Sequence, residues 1–141
     1  MRTGNTIGAL ALAASLLVPA AAFAQQGGAP DSEMVISSQI EAFRAGDGER
    51  AFSFAAPGIR RAFGNSGAFM SMVKRGYMPV YAPRSFSFGR YSERNGLIFQ
   101  EVLVTGPAGK EWVALYTLQR QDDGSLRITG VRLAESDAFA V

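Results

Sequence analysis

From residue 31 to residue 77 apolar side chains recur every three or four positions, and from residue 84 onward they recur every second position. The first period is that of an amphipathic helix, and the second that of a strand with one covered face. Val35, Ile36, Gln39, Ile40 and Phe43 share one helical face; Asp31 or Ser32 is placed to cap its start, and Gly46 to end it in a left-handed conformation. Asp47 caps a second, short helix whose Ala51, Phe52 and Ala55 face inward. Pro57 cuts that helix off, because proline disfavours helical geometry in the residue before it. Pro57 itself suits the first position of a new turn, where its missing N–H is no loss. Ile59, Ala62 and Phe63 follow at helical spacing up to Gly64. A further helix starts at a Ser66 cap and carries Phe69, Met70, Val73 and Tyr77, with Gly76 marking its end. The N-terminal half is therefore three or four short helices.

The connector YMPVYAP, residues 77–83, separates these helices from segments of alternating pattern. Arg84 to Ser92, Gly96 to Thr105, Glu111 to Arg120 and Ser125 to Leu133 are rich in aromatic and β-branched residues and read as strands. Asn95-Gly96 and Asp123-Gly124 supply the positive φ of tight hairpin turns. In Glu111 to Arg120 both parities are apolar, with Trp112, Ala114, Tyr116 and Leu118 on one face and Val113 and Leu115 on the other, which predicts a central strand covered on both sides. In the last strand Leu126 and Ile128 share one parity and Val131 and Leu133 the other. A bulge at Gly130 would turn all four inward and bend the sheet. The expected fold class is α+β, with N-terminal helices packed on a curved four-stranded antiparallel sheet. A sheet curved round helices encloses a cone with a mouth.

The chain before residue 31 has another character. Arg2 precedes an apolar stretch from Ile7 to Val18, Pro19 breaks it, and Ala22-Phe23-Ala24 supplies a small-x-small cleavage site, the layout of a secretory signal. Cleavage there makes Gln25 the first mature residue and places the protein in the periplasm or outside the cell. The apolar stretch is shorter than the roughly 20 residues a spanning helix needs, so a retained anchor is the less favoured alternative and no stable membrane insertion is expected. Residues 1–24 are thus read as a signal peptide, 25–30 as a flexible lead-in and 31–141 as a single α+β domain. Removing 24 of 141 residues, Arg2 among them, leaves 117 residues with 13 basic and 12 acidic side chains. That balance gives nucleic acid no electrostatic footprint. There is no cysteine and no histidine, which argues against disulfide scaffolds, zinc sites and histidine-based hydrolytic triads. No cofactor and no metal are expected.

Three groups of residues carry candidate chemistry. The first is AAPGIRRAFG, residues 55–64, where the backbone of Gly58 and the side chains of Arg60 and Arg61 are placed to hold an anion. Adjacent arginines on a helix point about 100° apart, so the alternative is a folding device in which Ile59 and Phe63 plug the base of the cone. The second is the pair Gln100 and Glu101, one on each face of its strand. Gln100 is the expected inward member, because a neutral amide is far cheaper to bury than a carboxylate; an inward Glu101 would instead be a general acid or base with a raised pKa. The third is the set Phe69, Met70, Met72, Tyr77, Met78 and Tyr81, which either lines a small apolar pocket or is simply core. Gln100, Glu101, Tyr77, Tyr116 and Met70 are the pocket candidates.

The segments QIEAFRAGD (39–47), AFSFAAPGIRRAFG (51–64), FMSMVKRGYMPVYAPRSFSFG (69–89), FQEVLVTGPAGKEWVALYTLQRQDDG (99–124) and LRITGVRL (126–133) resemble the bacterial family termed domain of unknown function 4864. Leu126 stands where a tryptophan is expected. The order of helices and bent sheet resembles the cone-shaped nuclear-transport-factor-2-like, or SnoaL-like, superfamily, which includes ketosteroid-isomerase-like enzymes and many non-catalytic binding domains. The resemblance implies an exported domain that binds a small apolar or amphipathic ligand or a protein partner, with a homodimer through the apolar Val113 and Leu115 face. The alternative is an isomerase or hydratase that sets a buried carboxylate, Asp47 or Glu101, beside Tyr77 or Tyr116.

Overall fold

A computed structural model of the protein describes residues 29–136. The expectations for the signal segment 1–24 and for most of the lead-in lie outside the described residues.

Helix α1 (Ala29–Arg44) buries Ser32, Ile36, Gln39, Ile40 and Phe43 along one stripe. It ends as its sequence requires: Gly46 takes φ +67°, its N–H reaches Phe43 O at 3.0 Å, and Asp47 N–H reaches Ala42 O at 2.9 Å. That pair of bonds is a Schellman cap. The start differs from expectation. The helix is already formed at Ala29, so Ser32 lies inside its first turn, and the Ser32 hydroxyl sits 2.9 Å from both Ala29 O and Gln100 Oε1.

Helix α2 (Gly48–Ser53) is capped by the Asp47 carboxylate, which accepts the Arg50 N–H at 3.1 Å. Helix α3 (Pro57–Phe63) begins on proline and stops at Gly64, whose φ is +79°. Helix α4 (Ser66–Gly76) is capped by Asn65, one residue earlier than expected. The Asn65 side chain accepts the Ala68 N–H at 2.8 Å, while the Ser66 hydroxyl donates to Glu49. The connector contains a further turn, α5 (Met78–Tyr81), which its two prolines conceal. Pro79 occupies one of its first positions, where the missing N–H costs nothing.

Strands β1 (Ser85–Arg94), β2 (Leu97–Thr105), β3 (Glu111–Arg120) and β4 (Leu126–Glu135) form an open antiparallel sheet in the order β1-β2-β3-β4. The β1–β2 turn has φ 52° at Asn95 and 77° at Gly96, the type I′ geometry that matches strand twist. In the β3–β4 turn only Gly124 has positive φ. Asp123 serves differently: its carboxylate accepts from the Ser125 hydroxyl at 2.6 Å and the Ser125 N–H at 2.9 Å. These bonds hold the Asp123 carboxyl below the ordinary range, the hydroxyl contributing most.

Two register shifts decide which side chains meet. Between β3 and β4, Thr117 faces Gly130 and Leu118 faces Ile128, so Thr129 is the extra residue. The shift sits next to Gly130 and sets Leu126, Ile128, Val131 and Leu133 opposite Arg120, Leu118, Tyr116 and Ala114; all four join the core, as the parity change predicts. Between β1 and β2, Phe88 faces Val102 and Tyr91 faces Gln100. Gly89 and Arg90 thus bulge against Glu101, a shift the alternating pattern alone does not announce.

The core divides in two. Ile36, Ile40 and Val80 from the helices pack on Ile98, Val102, Val104, Ala114, Tyr116, Leu118, Leu126 and Ile128 of the sheet. A second cluster, Ala42, Phe43, Ala51, Phe52, Ala55, Phe69, Met70 and Val73, joins the helices to each other. The link between α2 and α3 runs beside β4: Ala55 bridges Ile128 in parallel, Ile128 N–H donates to Phe54 O and Ala56 N–H donates to Ile128 O, both at 2.8 Å. On β2 and β3 the opposite face of the sheet holds no buried residue; Phe99, Glu101, Val113 and Leu115 are half-buried and Leu103 is 45% exposed. The expectation that β3 is covered on both sides is therefore not met among the described residues.

Candidate functional site

Where the helical layer meets the inner face of β3 and β4, the chain leaves a cavity of about 400 Å³. Helix α1 contributes Gln39 and Phe43, α3 contributes Ile59 and Phe63, and α4 contributes Phe69, Met72 and Val73. Tyr77 and Val80 close one side, and Tyr116, Ile128, Gly130 and Val131 form the sheet wall. Ile59, Phe63, Met72, Tyr77, Gly130 and Val131 are half-buried and mark the mouth, whereas Gln39, Phe43, Val73, Val80 and Tyr116 are buried. The Thr129 bulge makes this wall, since without it Val131 would face the other side of the sheet. Aromatic contacts stiffen the helical wall: the Phe69 ring lies 6.2 Å from Phe43 and 6.0 Å from Phe63.

Among the described residues, three side chains with polar nitrogen or oxygen atoms line the cavity. Gln39 donates its amide N–H to Ala51 O at 3.2 Å. Tyr77 stands at the mouth. Tyr116 is fully buried, and its hydroxyl has no hydrogen-bond partner among the described residues. Burial pushes its phenol well above the ordinary pKa, so it remains an O–H donor. An unpartnered buried hydroxyl costs about 1–3 kcal/mol.

The residues singled out from sequence fall into distinct places. Tyr77 and Tyr116 come together at the cavity. Gln100 is the inward member of its pair, as expected, but it is fully buried and committed to the protein: Oε1 accepts from Ser32, and Nε2 donates to Glu101 O at 3.0 Å with Gly89 O and Arg90 O each at 3.4 Å. It joins α1 to the β1 bulge and does not line the cavity. Glu101 points to the other face, where its carboxylate accepts the Arg90 N–H at 3.2 Å. Met70 packs among the helices, its Cγ 3.0 Å from where a Cβ on Gly48 would stand.

Asp47 is spent on the α2 cap, so the carboxylate-beside-tyrosine pair considered from sequence is not assembled: among the described residues no acidic side chain lines the cavity. At the opening corner the Arg60 guanidinium lies over the Phe52 ring at 5.4 Å, and Arg61 lines a shallow groove with Gly58, Gln119, Gln121 and Thr129. Ile59 and Phe63 line the cavity, which agrees with the folding-device alternative for that stretch. Sequence reasoning missed Gln39 as a site residue, although its place on the apolar face of α1 was a visible signal.

Among the described residues no helix is long and apolar enough to cross a membrane, and no cluster of acidic side chains has the makings of a metal site. Fold and cavity together define an α+β protein with helices on one face of an open four-stranded antiparallel sheet and an apolar pocket between the layers. The chain belongs to the family described as Domain of unknown function (DUF4864), which it matches over residues 26–141. No curated protein matches it. Among solved structures it is similar to a DUF4783 family protein from Bacteroides ovatus ATCC 8483, at 12% identity and a TM-score of 0.47, covering 70% of this chain and 93% of that one.

Proposed function

We propose that this is an exported, non-catalytic binding domain whose cavity holds a small apolar or amphipathic molecule. The observation that carries the reading is a cavity of about 400 Å³ with apolar walls and, among the described residues, no acidic or basic side chain, within the size range of ligand pockets. Export rests on the signal-like pattern of residues 1–24. The cone-shaped nuclear-transport-factor-2-like architecture belongs to the same proposal, supported by the two strand bulges that turn apolar residues toward the helices. The test is titration with N-phenyl-1-naphthylamine, an uncharged dye that fluoresces in apolar surroundings. Wild type is expected to bind it. Val131→Phe, which grows a ring into the cavity from β4, is expected to weaken binding at least tenfold with unchanged or higher thermal stability, since filling empty apolar space contributes about 0.8 kcal/mol per methylene. No dye binding by wild type, or equal binding by the variant, would refute the proposal.

A second reading concerns the outer face of the sheet, where Phe99, Leu103, Val113 and Leu115 expose apolar surface. One row across the strands places Glu101 beside Leu115 and Leu115 beside Arg132. A two-fold axis along β3 lays β2 of one copy over β4 of the other and sets Glu101 against Arg132 twice, whereas an axis across the strands sets like charges together. This self-complementarity supports a face-to-face homodimer. Arg132→Glu alone is expected to weaken dimerisation at least about tenfold through like-charge contact, and Glu101→Arg combined with Arg132→Glu to restore it, read by analytical ultracentrifugation. A wild type that stays monomeric at high concentration excludes the dimer.

A further inference from the structure

The apolar cavity has a polar neighbour. A surface groove beside α3 is lined by Arg61, Gln119, Gln121 and Thr129, and Ile59 and Phe63 line both the groove and the cavity. The two depressions also adjoin along β4, where Ile128, Gly130 and Val131 belong to the cavity and Thr129 to the groove. Ile59 and Phe63 are half-buried, so the wall they form reaches the surface, and a molecule that emerges over it lies on the groove. The groove offers donors and no acid. Gln121 spends one amide N–H on Gln119 O at 3.0 Å and keeps the other, and Gln119 is exposed. Thr129 donates its hydroxyl proton to Thr117 O, which leaves Arg61 and the two amides as the side-chain donors. Among the described residues no carboxylate lines the groove. The ion pairs there join Lys110 to Glu135 and Arg120 to Asp31, so Arg61 stands exposed without an acidic partner. Arg60, one position earlier, is turned to the Phe52 ring.

The two depressions suit opposite ends of one molecule. Apolar walls exclude an anion, because desolvating a carboxylate is costly, whereas the groove presents a guanidinium fork and amide N–H groups to an anionic oxygen that stays in contact with water. We infer that cavity and groove together take a single-chain amphiphile with an anionic head, of the fatty-acid type, its chain in the cavity past Ile59 and Phe63 and its head at Arg61. The inference rests on the binding reading above and narrows it to a ligand class. Arg61 then determines specificity, separating anionic amphiphiles from neutral and cationic ones, while burial of the chain supplies most of the affinity.

Three probes with one chain separate the possibilities: decanoate, decanol and decyltrimethylammonium, each below its micelle concentration and titrated by calorimetry. Wild type is expected to bind decanoate most tightly and decyltrimethylammonium roughly tenfold more weakly, an attraction lost and a repulsion gained at an exposed site. Arg61→Gln is expected to weaken decanoate about three- to fivefold and Arg61→Glu further, with decanol unchanged in both. Added salt should narrow the gap between decanoate and decanol. Val131→Phe should weaken decanoate and decanol alike. Arg61 is exposed, so its variants are expected to melt with wild type. Decanol binding beside a decanoate affinity indifferent to Arg61 overturns the inference and spares the binding reading. Decanoate binding that needs Arg61 but ignores Val131→Phe overturns it too, since the chain would then lie outside the cavity. If N-phenyl-1-naphthylamine binds and none of the three probes does, the inference falls alone; if the dye fails as well, both readings fall.

Discussion

Replacing Gln100 with leucine is expected to destabilise the protein by about 2–4 kcal/mol, because it preserves the volume of the side chain while removing its amide. The loss has several parts. Ser32, itself fully buried, loses one of its two acceptors at 2.9 Å and keeps Ala29 O. The carbonyls of Gly89 and Arg90, thrown out of the ladder by the bulge, lose their shared donor. Each buried group left unpaired costs about 1–3 kcal/mol, and these carbonyls, only part-buried, belong at the low end. Ser32→Ala is expected to cost less, about 1 kcal/mol, since Gln100 keeps its contacts with the bulge. The double variant should show coupling, as residues in one hydrogen-bond network are not additive. Urea unfolding of the four proteins measures all of this. A Gln100→Leu variant within about 0.5 kcal/mol of wild type would mean that the amide does not hold α1 to β1.

The second large effect is on alkaline stability. In the folded chain burial holds the Tyr116 phenol protonated far above the pKa of about 10 that an exposed tyrosine shows. At neutral pH both folded and unfolded states carry the proton, so the group adds no pH dependence there. As pH rises past about 10 the unfolded state releases the proton and the folded state does not, so unfolding becomes more favourable by about 1.4 kcal/mol per pH unit. Tyr116→Phe removes this contribution. It also removes the unpartnered hydroxyl, so it is expected to be as stable as wild type at pH 7 or more stable by up to about 1–3 kcal/mol. The gap between the two should widen steadily above pH 10, whatever the other tyrosines and lysines do, because they are common to both proteins. Stability curves that stay parallel from pH 8 to pH 11 would show that Tyr116 ionises as freely folded as unfolded.

Much of this architecture is legible in the pattern of side chains. The change from helical to alternating period locates the four strands to within a residue or two, and Asn95-Gly96 marks the first hairpin turn while Gly46 and Gly64 mark the ends of α1 and α3, each with the positive φ that its residue type favours. The bulge beside Gly130 is visible because apolar parity changes there. Between Phe88 and Tyr91 the parity also shifts, beside Gly89, but a single half-buried tyrosine after it does not establish a second apolar parity. The short α5 stayed hidden because prolines at 79 and 83 read as punctuation. At the site, sequence supplies residue types but not partners. That one of Gln100 and Glu101 faces inward follows from alternation and the cost of burying charge. That the inward amide belongs to Ser32, 68 positions away, and to the bulge does not follow, since tertiary packing alone chooses those acceptors. Tyr116 was recognisable as an inward aromatic residue; its lack of a partner is a property of everything around it.

The strip of chain between α2 and α3 has a bearing on how this protein stays apart from its neighbours. An open sheet has two rims, and a bare rim invites another strand to add on, the first step toward fibrous association. At β4 the middle of the rim is already taken, with Phe54 O and Ala56 N–H bonded to Ile128. At β1 the ladder is interrupted by Gly89 and Arg90. Among the described residues, growth by strand addition is thus obstructed at both ends with no disulfide and no covering helix. Loosening the Phe54–Ala56 strip by mutation, with the cavity and outer face untouched, would expose a ready template for β-extension.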